Sequence, residues 1–525
     1  MGMYLNPGED AFCEAVNSPI YVDKSELLSY TNSVFKTAEK YVCVSRPRRF
    51  GKSMAANMVS AYYDRTADAD AIFAPLKIAQ HDDFAKHRGK YDVIKLNIQD
   101  FLSCADDMDS LLLKIQQVLL RDLMREYPDN YFNPKDLREV MADIYARTKR
   151  PFVIVIDEWD CVFREYTERK DWQEKYLDFL RAWLKDKTYV GLAYMTGILP
   201  IKKYGTHSAL NMFAEFSMIE AGMLAEFVGF TESEVKDLCK RYNMDLEMCK
   251  TWYDGYRFDE VGSVYSPRSV VQSMRNHKYG TYWNRTETFE ALKIYIDLDY
   301  DGLREAIIAL MSGAERRIET VDFANDMKTF RDADDVLTLL IHLGYLGYDN
   351  CTKSVFIPNQ EIRYEYANAV RGGGWDKIAL AIKTSEQLMQ ATLSMDADAV
   401  AKGIEAAHIE TSHLQYNDEN ALSYTISLAY YTARQKYLPV REFPTGKGFA
   451  DIVFLPRPHY ASLPALIIEL KWDVTVKAAI SQIQEKNYPK SLEDYTGSVL
   501  LVGINYDKTS KKHECEIIKH TKVEK

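Results

Sequence analysis

Two stretches of the chain hold residues whose types and spacing can do chemistry. The first is Arg46-Pro47-Arg48-Arg49-Phe50-Gly51-Lys52-Ser53. A phosphate-binding loop needs a tight turn between a strand and a helix. Its backbone N–H groups cradle phosphates, a lysine reaches the outer phosphates and a hydroxyl holds Mg²⁺. Gly51, Lys52 and Ser53 supply the second half of that pattern, while Arg46 stands where the first glycine of G-x-x-x-x-G-K-[ST] belongs. The companion element is the β-branched run 152–156, which ends in Asp157-Glu158. An acid at the end of an adjacent buried strand holds Mg²⁺. Asp157 takes that role through water, and Glu158 would polarise the attacking water. A strand ending in a solvated acidic turn is the plain alternative. Thr196, at the end of the next candidate strand, is placed to sense a γ-phosphate or is an ordinary polar strand end. Arg46, Arg48 and Arg49 form a cationic cluster suited to phosphates or to salt bridges.

The second stretch runs from Asp451 to Glu469-Leu470-Lys471. Metal-dependent phosphodiester hydrolysis needs clustered carboxylates, a Lewis acid on the phosphate and an activated water. Alternation along a strand puts Glu469 and Lys471 on one side. If the runs 452–454 and 466–468 pair as a hairpin, Asp451 meets Glu469 at one edge. The two carboxylates then hold metal, and Lys471 positions or helps deprotonate water. A lone E-x-K is, by contrast, an ordinary salt-bridged strand face.

The elements that must position these groups are legible in outline. A β-rich run at 40–45 leads into the loop, and a helix-prone stretch follows at 54–63. Further strand candidates lie at 91–98 and 189–196, with helical spacing at 111–127. Strands alternating with helices predict a parallel sheet with crossover helices. Thr231 opens a helix with a capping pattern. The aromatic block 252–258 reads as core and turn ahead of a base-stacking platform. Helices at 289–311 and 332–343, then a two-strand hairpin ending at 357, outline a winged-helix-like middle. Helices restart after residue 374. Then come 441–455, a Pro-containing loop, a strand at 466–471, a helix at 476–488 and a last strand at 498–504, a second α/β domain.

The loop resembles the signature of the AAA-ATPase-like family of bacterial proteins. So do Tyr21-Val22-Asp23-Lys24, Thr196-Gly197, Ser208-Ala209-Leu210-Asn211 and the 252–258 block, over about residues 4–285. In that family Arg-Pro-Arg-Arg-Phe-Gly-Lys-Ser/Thr stands in place of the full glycine-rich loop, which makes Arg46 a family feature. The resemblance implies ATP binding, with hydrolysis a further step. Residues 385–510 resemble the PD-(D/E)XK nuclease superfamily, in the form fused to that ATPase family. The match rests on Gly446-Lys447-Gly448-x-Ala450-Asp451-Ile452-Val453 and Ala479-x-x-Gln482-Ile483-x-x-Lys486-x-Tyr488. It implies Asp451 and Glu469 as metal ligands, Lys471 as the catalytic lysine and Gln482 near the substrate phosphate. Glu419 would be the auxiliary acid, with Glu442 its rival. Ala450 stands where the motif's proline is usual.

The expected fold class is therefore α/β in three parts. Residues 1–285 form a P-loop NTPase-type parallel sheet, 286–380 a helical, winged-helix-like middle, and 381–525 a restriction-endonuclease-like α/β domain. ATP and Mg²⁺ are the expected cofactors. The expected partners are a nucleotide and a nucleic acid, DNA ahead of RNA; an oligomer is compatible. One rival reading is a nucleotide-dependent sensor or interaction protein with a non-cleaving nuclease fold. Another is an ATPase that uses its C-terminal domain only to bind DNA.

Composition bounds these readings. The 525 residues carry 66 Lys+Arg against 77 Asp+Glu, a formal charge of −11, which argues against a uniformly basic nucleic-acid coat. With 47% hydrophobic and 27% charged residues, a mostly disordered chain is excluded. No apolar run approaches the ~18 residues of a membrane helix, and residues 1–10 lack the pattern of a secretory signal. Eight cysteines without a C-x-x-C pair predict reduced, mostly buried thiols and a cytoplasmic setting. No zinc spacing, serine-nucleophile elbow or internal repeat is present.

Overall fold

The computed structural model describes all residues except 1, 130, 132, 202, 205–206, 209, 284–291, 293, 297, 299–301, 312, 325–326, 328–329, 372–375, 412–425, 427–428, 431–432, 434–435, 446–447, 458–459, 486–497, 511 and 521–525. The chain divides into two compact units. One comprises 1–286, 298–306 and 315–362; the other comprises 287–297, 307–314 and 363–525.

The first unit is built on five parallel strands. They are β1 (Tyr41–Ser45), β2 (Asp92–Asn97), β3 (Phe152–Asp157), β4 (Val190–Gly197) and β5 (Ala214–Phe216). Their order across the sheet is β2-β3-β4-β1-β5. Every residue of β1, β3 and β4 is buried, which is why these strands read as unbroken apolar runs rather than alternating ones. Each buried Val or Ile there contributes roughly 1.5–3 kcal/mol relative to exposure. Helix α1 (Lys52–Tyr63) covers β2, β3 and β4, burying Ala55, Ala56, Met58 and Val59. The strand order sets β4 between the loop-bearing β1 and the acid-bearing β3. Ser45 pairs with Gly197, Val44 with Thr196, and Ile156 with Met195, so the three strand ends come level at one edge.

Later in this unit, α3 (Glu232–Tyr242) begins with the expected capping box between Thr231 and Glu234. The helix α2 (Cys161–Glu165) follows β3 directly. The expected helix and hairpin of the middle are α4 (Ala333–Leu343), β6 (Gly347–Asp349) and β7 (Ser354–Phe356). A short strand at Arg316–Arg317 adds to the free edge of β7. Gly344 ends α4 with φ +84, a left-handed position suited to glycine. Helix α5 (Gln360–Arg371) follows. In the aromatic block Tyr253, Tyr256 and Phe258 are buried, as core residues should be.

The second unit holds a mixed sheet of β8 (Tyr437–Thr445), β9 (Gly448–Pro456), β10 (Ala465–Trp472), β11 (Val499–Asp507) and β12 (Lys512–His520), in that order. The β10–β11 pair is parallel and the others antiparallel. The stretch expected as a single run at 441–455 is two paired strands. One sheet face packs Val453, Ile467, Val499 and Leu501 against Ile480 and Ile483 of α6 (Val476–Glu485). The other packs Ile452, Phe454, Ile468, Leu470 and Val502 against residues of the helices Asp376–Leu393 and Ala397–Thr411.

All eight cysteines are free thiols. Cys43, Cys161, Cys239 and Cys249 are buried, half of the set rather than most of it. Among the described residues no helix is long and apolar enough to cross a membrane.

Candidate active sites

The phosphate loop is shaped by two left-handed residues, Arg49 at φ +72 and Gly51 at φ +95. Such backbone is nearly free of cost for glycine and strained for arginine, so the loop spends its glycine at the turn into α1. The N-terminus of α1 opens on the loop with its unpaired N–H groups and partial positive charge. Lys52, the first helical residue, is buried, and its Nζ donates to the Pro47 carbonyl at 2.9 Å. Burial pushes its pKa down, while the carboxylates of Glu158, Asp160 and Asp157 pull it back up. A buried ammonium resting on a neutral carbonyl is suited to exchange that carbonyl for a phosphate. Ser53 is exposed on the next position.

The strand ends supply the acids. Asp157 is buried and accepts from Thr196 Oγ1 on the adjacent strand and from its neighbour Glu158 N–H at 3.1 Å. Thr196 is thus joined to Asp157 rather than standing as an unattached strand end. Glu158 has left-handed backbone at φ +52. Burial raises its pKa, and Arg164 and Lys52 oppose that.

Two groups here escaped the sequence reading. Arg164 Nη2 donates to Glu158, and its Nε donates to Asp160 Oδ2 at 3.1 Å. The same Asp160 oxygen accepts the N–H groups of Ile198 at 3.0 Å and Leu199 at 2.8 Å, tying the end of β4 to the start of α2. A Cβ on Gly197 would fall 2.7 Å from Trp159 Nε1 and 2.8 Å from Asp160 Oδ1, so only glycine leaves room for this contact. The available signal was an Asp and an Arg four apart just beyond an acidic strand end, the i,i+4 spacing of a helical pair.

The arginines of the loop part ways. Arg46 turns into the interior. Its side chain is fully buried, with Nη1 on the carbonyls of Ser45, Phe216 and Ser217, each at 2.9 Å, and its guanidinium lies 4.9 Å from the Phe258 ring centroid. Its N–H is also taken, by Gly197 O at 3.0 Å. Buried carbonyls at the end of β5 need donors, and Arg46 supplies them. Arg49 instead donates to the carbonyls of Tyr282, at 2.8 Å, and Trp283. Arg48 is exposed.

The second site lies at the edge where β9 meets β10. Ile452 pairs with Ile468, which sets Asp451 abreast of Glu469. Asp451 Oδ2 accepts the Leu470 N–H at 2.7 Å. Glu469 is buried; its Oε1 accepts from Lys471 Nζ at 3.1 Å and from Gln482 Nε2. Gln482 reaches it because α6 lies close on β11. A Cβ on Gly503 would meet Ile480 Cγ1 at 3.0 Å and the Val476 carbonyl at 3.1 Å. The four residues expected to act together thus converge. Of the two candidates for auxiliary acid, Glu419 lies outside the described residues. Glu442 stands on β8 between the pairs Arg441–Ile452 and Phe443–Ala450, in register with Asp451.

Residues 14–206 match the family model described as predicted AAA-ATPase, and residues 419–516 match that of the PD-(D/E)XK nuclease superfamily. The chain joins an AAA-ATPase-like region to a PD-(D/E)XK-superfamily region. None of the curated proteins matches it. Among solved structures it has faint similarity to the Aeropyrum pernix ORC2 protein, at 11% identity over 69% of this chain and 98% of that one, with a TM-score of 0.30. It is likewise similar to Cdc6p from Pyrobaculum aerophilum, at 10% identity over 68% and 97%, with a TM-score of 0.23. The third is the Aeropyrum pernix ORC1 protein in complex with DNA, at 9% identity over 98% and 94%, with a TM-score of 0.24.

The residues of both sites fit the groups these families use. In the ATPase-like region a glycine turn, a helix N-terminus and a buried lysine suit a nucleotide triphosphate, and Asp157 with Ser53 offers hard oxygen donors for Mg²⁺. In the nuclease-like region two paired carboxylates offer the same donor type. Among the described residues no group of three His, Cys, Asp or Glu is close enough to hold a metal.

Proposed function

We propose that the protein binds and hydrolyses ATP and cleaves phosphodiester bonds of nucleic acid, DNA ahead of RNA, with a Mg²⁺-dependent C-terminal site. The observation that carries this reading is the convergence of Asp451, Glu469, Lys471 and Gln482 on one sheet edge. Asp451 and Glu469 would hold the metal, which when bound supplies a Lewis acid for the scissile phosphate. Lys471 Nζ donates to Glu469 Oε1 at 3.1 Å, which would set its ammonium beside the attacking water. Its positive charge would orient that water and favour the loss of the water's proton to solvent by stabilising the hydroxide left behind. Gln482 Nε2 donates to the Glu469 carboxylate, and the side chain would sit near the substrate phosphate.

In the N-terminal site Lys52 would hold the outer phosphates, Ser53 and Asp157 the metal, and Glu158 the water, with Thr196 aligning Asp157. Nucleotide state would then bias nuclease access, as a switch built on a bistable element requires. Calorimetric titration with Mn²⁺ tests the second site: wild type should bind the ion and Asp451→Asn/Glu469→Gln should not. Wild type that binds no metal would favour a sensor with a non-cleaving nuclease fold.

A further inference from the structure

Tyr282 and Trp283 have all four of their backbone polar groups engaged by two charged side chains. Both carbonyls accept from Arg49 of the phosphate loop. Both N–H groups donate to Glu361 Oε1, at 2.7 Å for Trp283. Glu361 is buried in the first turn of α5. The Trp283 ring packs edge-on to Phe50, the residue before Gly51, with centroids 6.3 Å apart. It also stacks on Tyr256 at 6.4 Å. Tyr256 OH in turn donates to the Gly344 carbonyl at 2.6 Å. A Cβ on Gly344 would lie 2.8 Å from Pro47 Cβ and 2.9 Å from the Trp283 ring. The phosphate loop is therefore joined through residues 47, 49 and 50 to the ends of α4 and α5.

We propose that Arg49 exchanges partners on nucleotide binding, leaving the Tyr282 and Trp283 carbonyls for a phosphate, and that this release loosens the dipeptide from Glu361 and resets the first turn of α5. The inference rests on the nucleotide reading of the loop. A guanidinium gains more from an anionic phosphate than from neutral carbonyls, and it stands two residues before Gly51. The departure leaves two carbonyls short of a donor, a cost that the dipeptide relieves by moving. The ligand thus has different contacts in the two states, as a population shift requires. Arg49 is then a loop residue that reports occupancy to the helix through which the chain runs on toward residue 371.

Deuterium exchange on the full-length protein, with and without a non-hydrolysable ATP analogue and Mg²⁺, tests this. The account expects slower exchange at residues 46–55. It also expects exchange at the Tyr282 and Trp283 amides faster by about tenfold, the effect of releasing an amide from a charged acceptor. In Arg49→Ala those amides should exchange fast from the start and respond no further to the analogue, and Arg49→Lys should respond only weakly. Protection at 46–55 with unchanged or slower exchange at 282–283 in wild type overturns the partner exchange alone. No analogue binding by calorimetry and no protection at 46–55 overturns the nucleotide reading, and the exchange with it.

Discussion

Arg164 holds the carboxylate of Glu158, the residue proposed to polarise an attacking water, through a hydrogen bond from Nη2. Glu158→Gln keeps the side chain's shape and removes its basicity. Nucleotide affinity should be retained while steady-state ATP hydrolysis falls about 10²–10⁴-fold, the range for removing a general base. Arg164→Ala differs in kind, because it also strips a partner from the fully buried Asp160. It should lower stability by about 3 kcal/mol in chemical denaturation, the cost of leaving a buried charge unpaired.

Lys52 makes an opposite prediction for stability. Its ammonium is buried on a neutral carbonyl, and burial holds its pKa down. Lys52→Met should therefore leave the melting temperature of the nucleotide-free protein unchanged or slightly raised. The stabilisation by saturating ATP, about 2.7 kcal/mol at a hundredfold excess over Kd, should vanish. Thermal melts with and without nucleotide check both halves.

The far end of the first sheet predicts an acid limb of stability. Asp92 is buried at the start of β2, where Asn6 Nδ2, Arg65 Nε and Tyr127 OH donate to it at 2.8, 2.7 and 2.6 Å. Burial by itself would raise its pKa, but these hydrogen bonds and the Arg65 charge outweigh burial and hold it below the usual carboxylate value. A carboxyl whose folded pKa is depressed stabilises the fold above its unfolded pKa, about 3.9, and loses that contribution as pH falls through the folded value. Urea midpoints measured from pH 7 to pH 3 should fall below about pH 4. Asp92→Asn should lack that part of the slope and be less stable at pH 7 by roughly 2 kcal/mol, as expected for a lost hydrogen bond to charge.

Gly503 gives a test of how the nuclease-like site is assembled. It lets α6 lie on β11 and so brings Gln482 to Glu469. Gly503→Val should push the helix away, costing about 1–3 kcal/mol of stability by overpacking. Metal affinity and cleavage should fall with it, while nucleotide binding stays at the wild-type level. Unimpaired cleavage in Gly503→Val would mean that the position of Gln482 is immaterial.

The sequence showed much of this arrangement because its signals are local. Asp157 closes a buried strand, a continuous apolar run that announces its own end, and Glu469 follows the apolar run 465–468 inside β10. Strand alternation put Glu469 and Lys471 on one side, and the meeting of Asp451 with Glu469 needed in addition the antiparallel pairing of β9 with β10. What stayed hidden depends on contacts distant in sequence or on elements without a pattern. Arg46 looks like a phosphate ligand until the carbonyls of residues 216–217, some 170 positions away, claim it. The partnership of Arg49 with residues 282–283 is equally non-local. β12 mixes Glu, Lys and His with few apolar residues because it is a half-buried edge strand, so no apolar run marks it. β8 contains Pro439 and Pro444, residues tolerated on the edge strand it forms, and its first residues, 437–440, went unmarked.

The most direct test is a cleavage assay on single-stranded, double-stranded and branched DNA with Mg²⁺, with and without ATP, comparing wild type with Glu469→Ala. The account predicts that wild type cleaves at least one substrate in Mg²⁺ and that Glu469→Ala, folded by circular dichroism, cleaves none. Wild type that cleaves nothing with any metal or nucleotide, or Glu469→Ala that cleaves as wild type does, would contradict it.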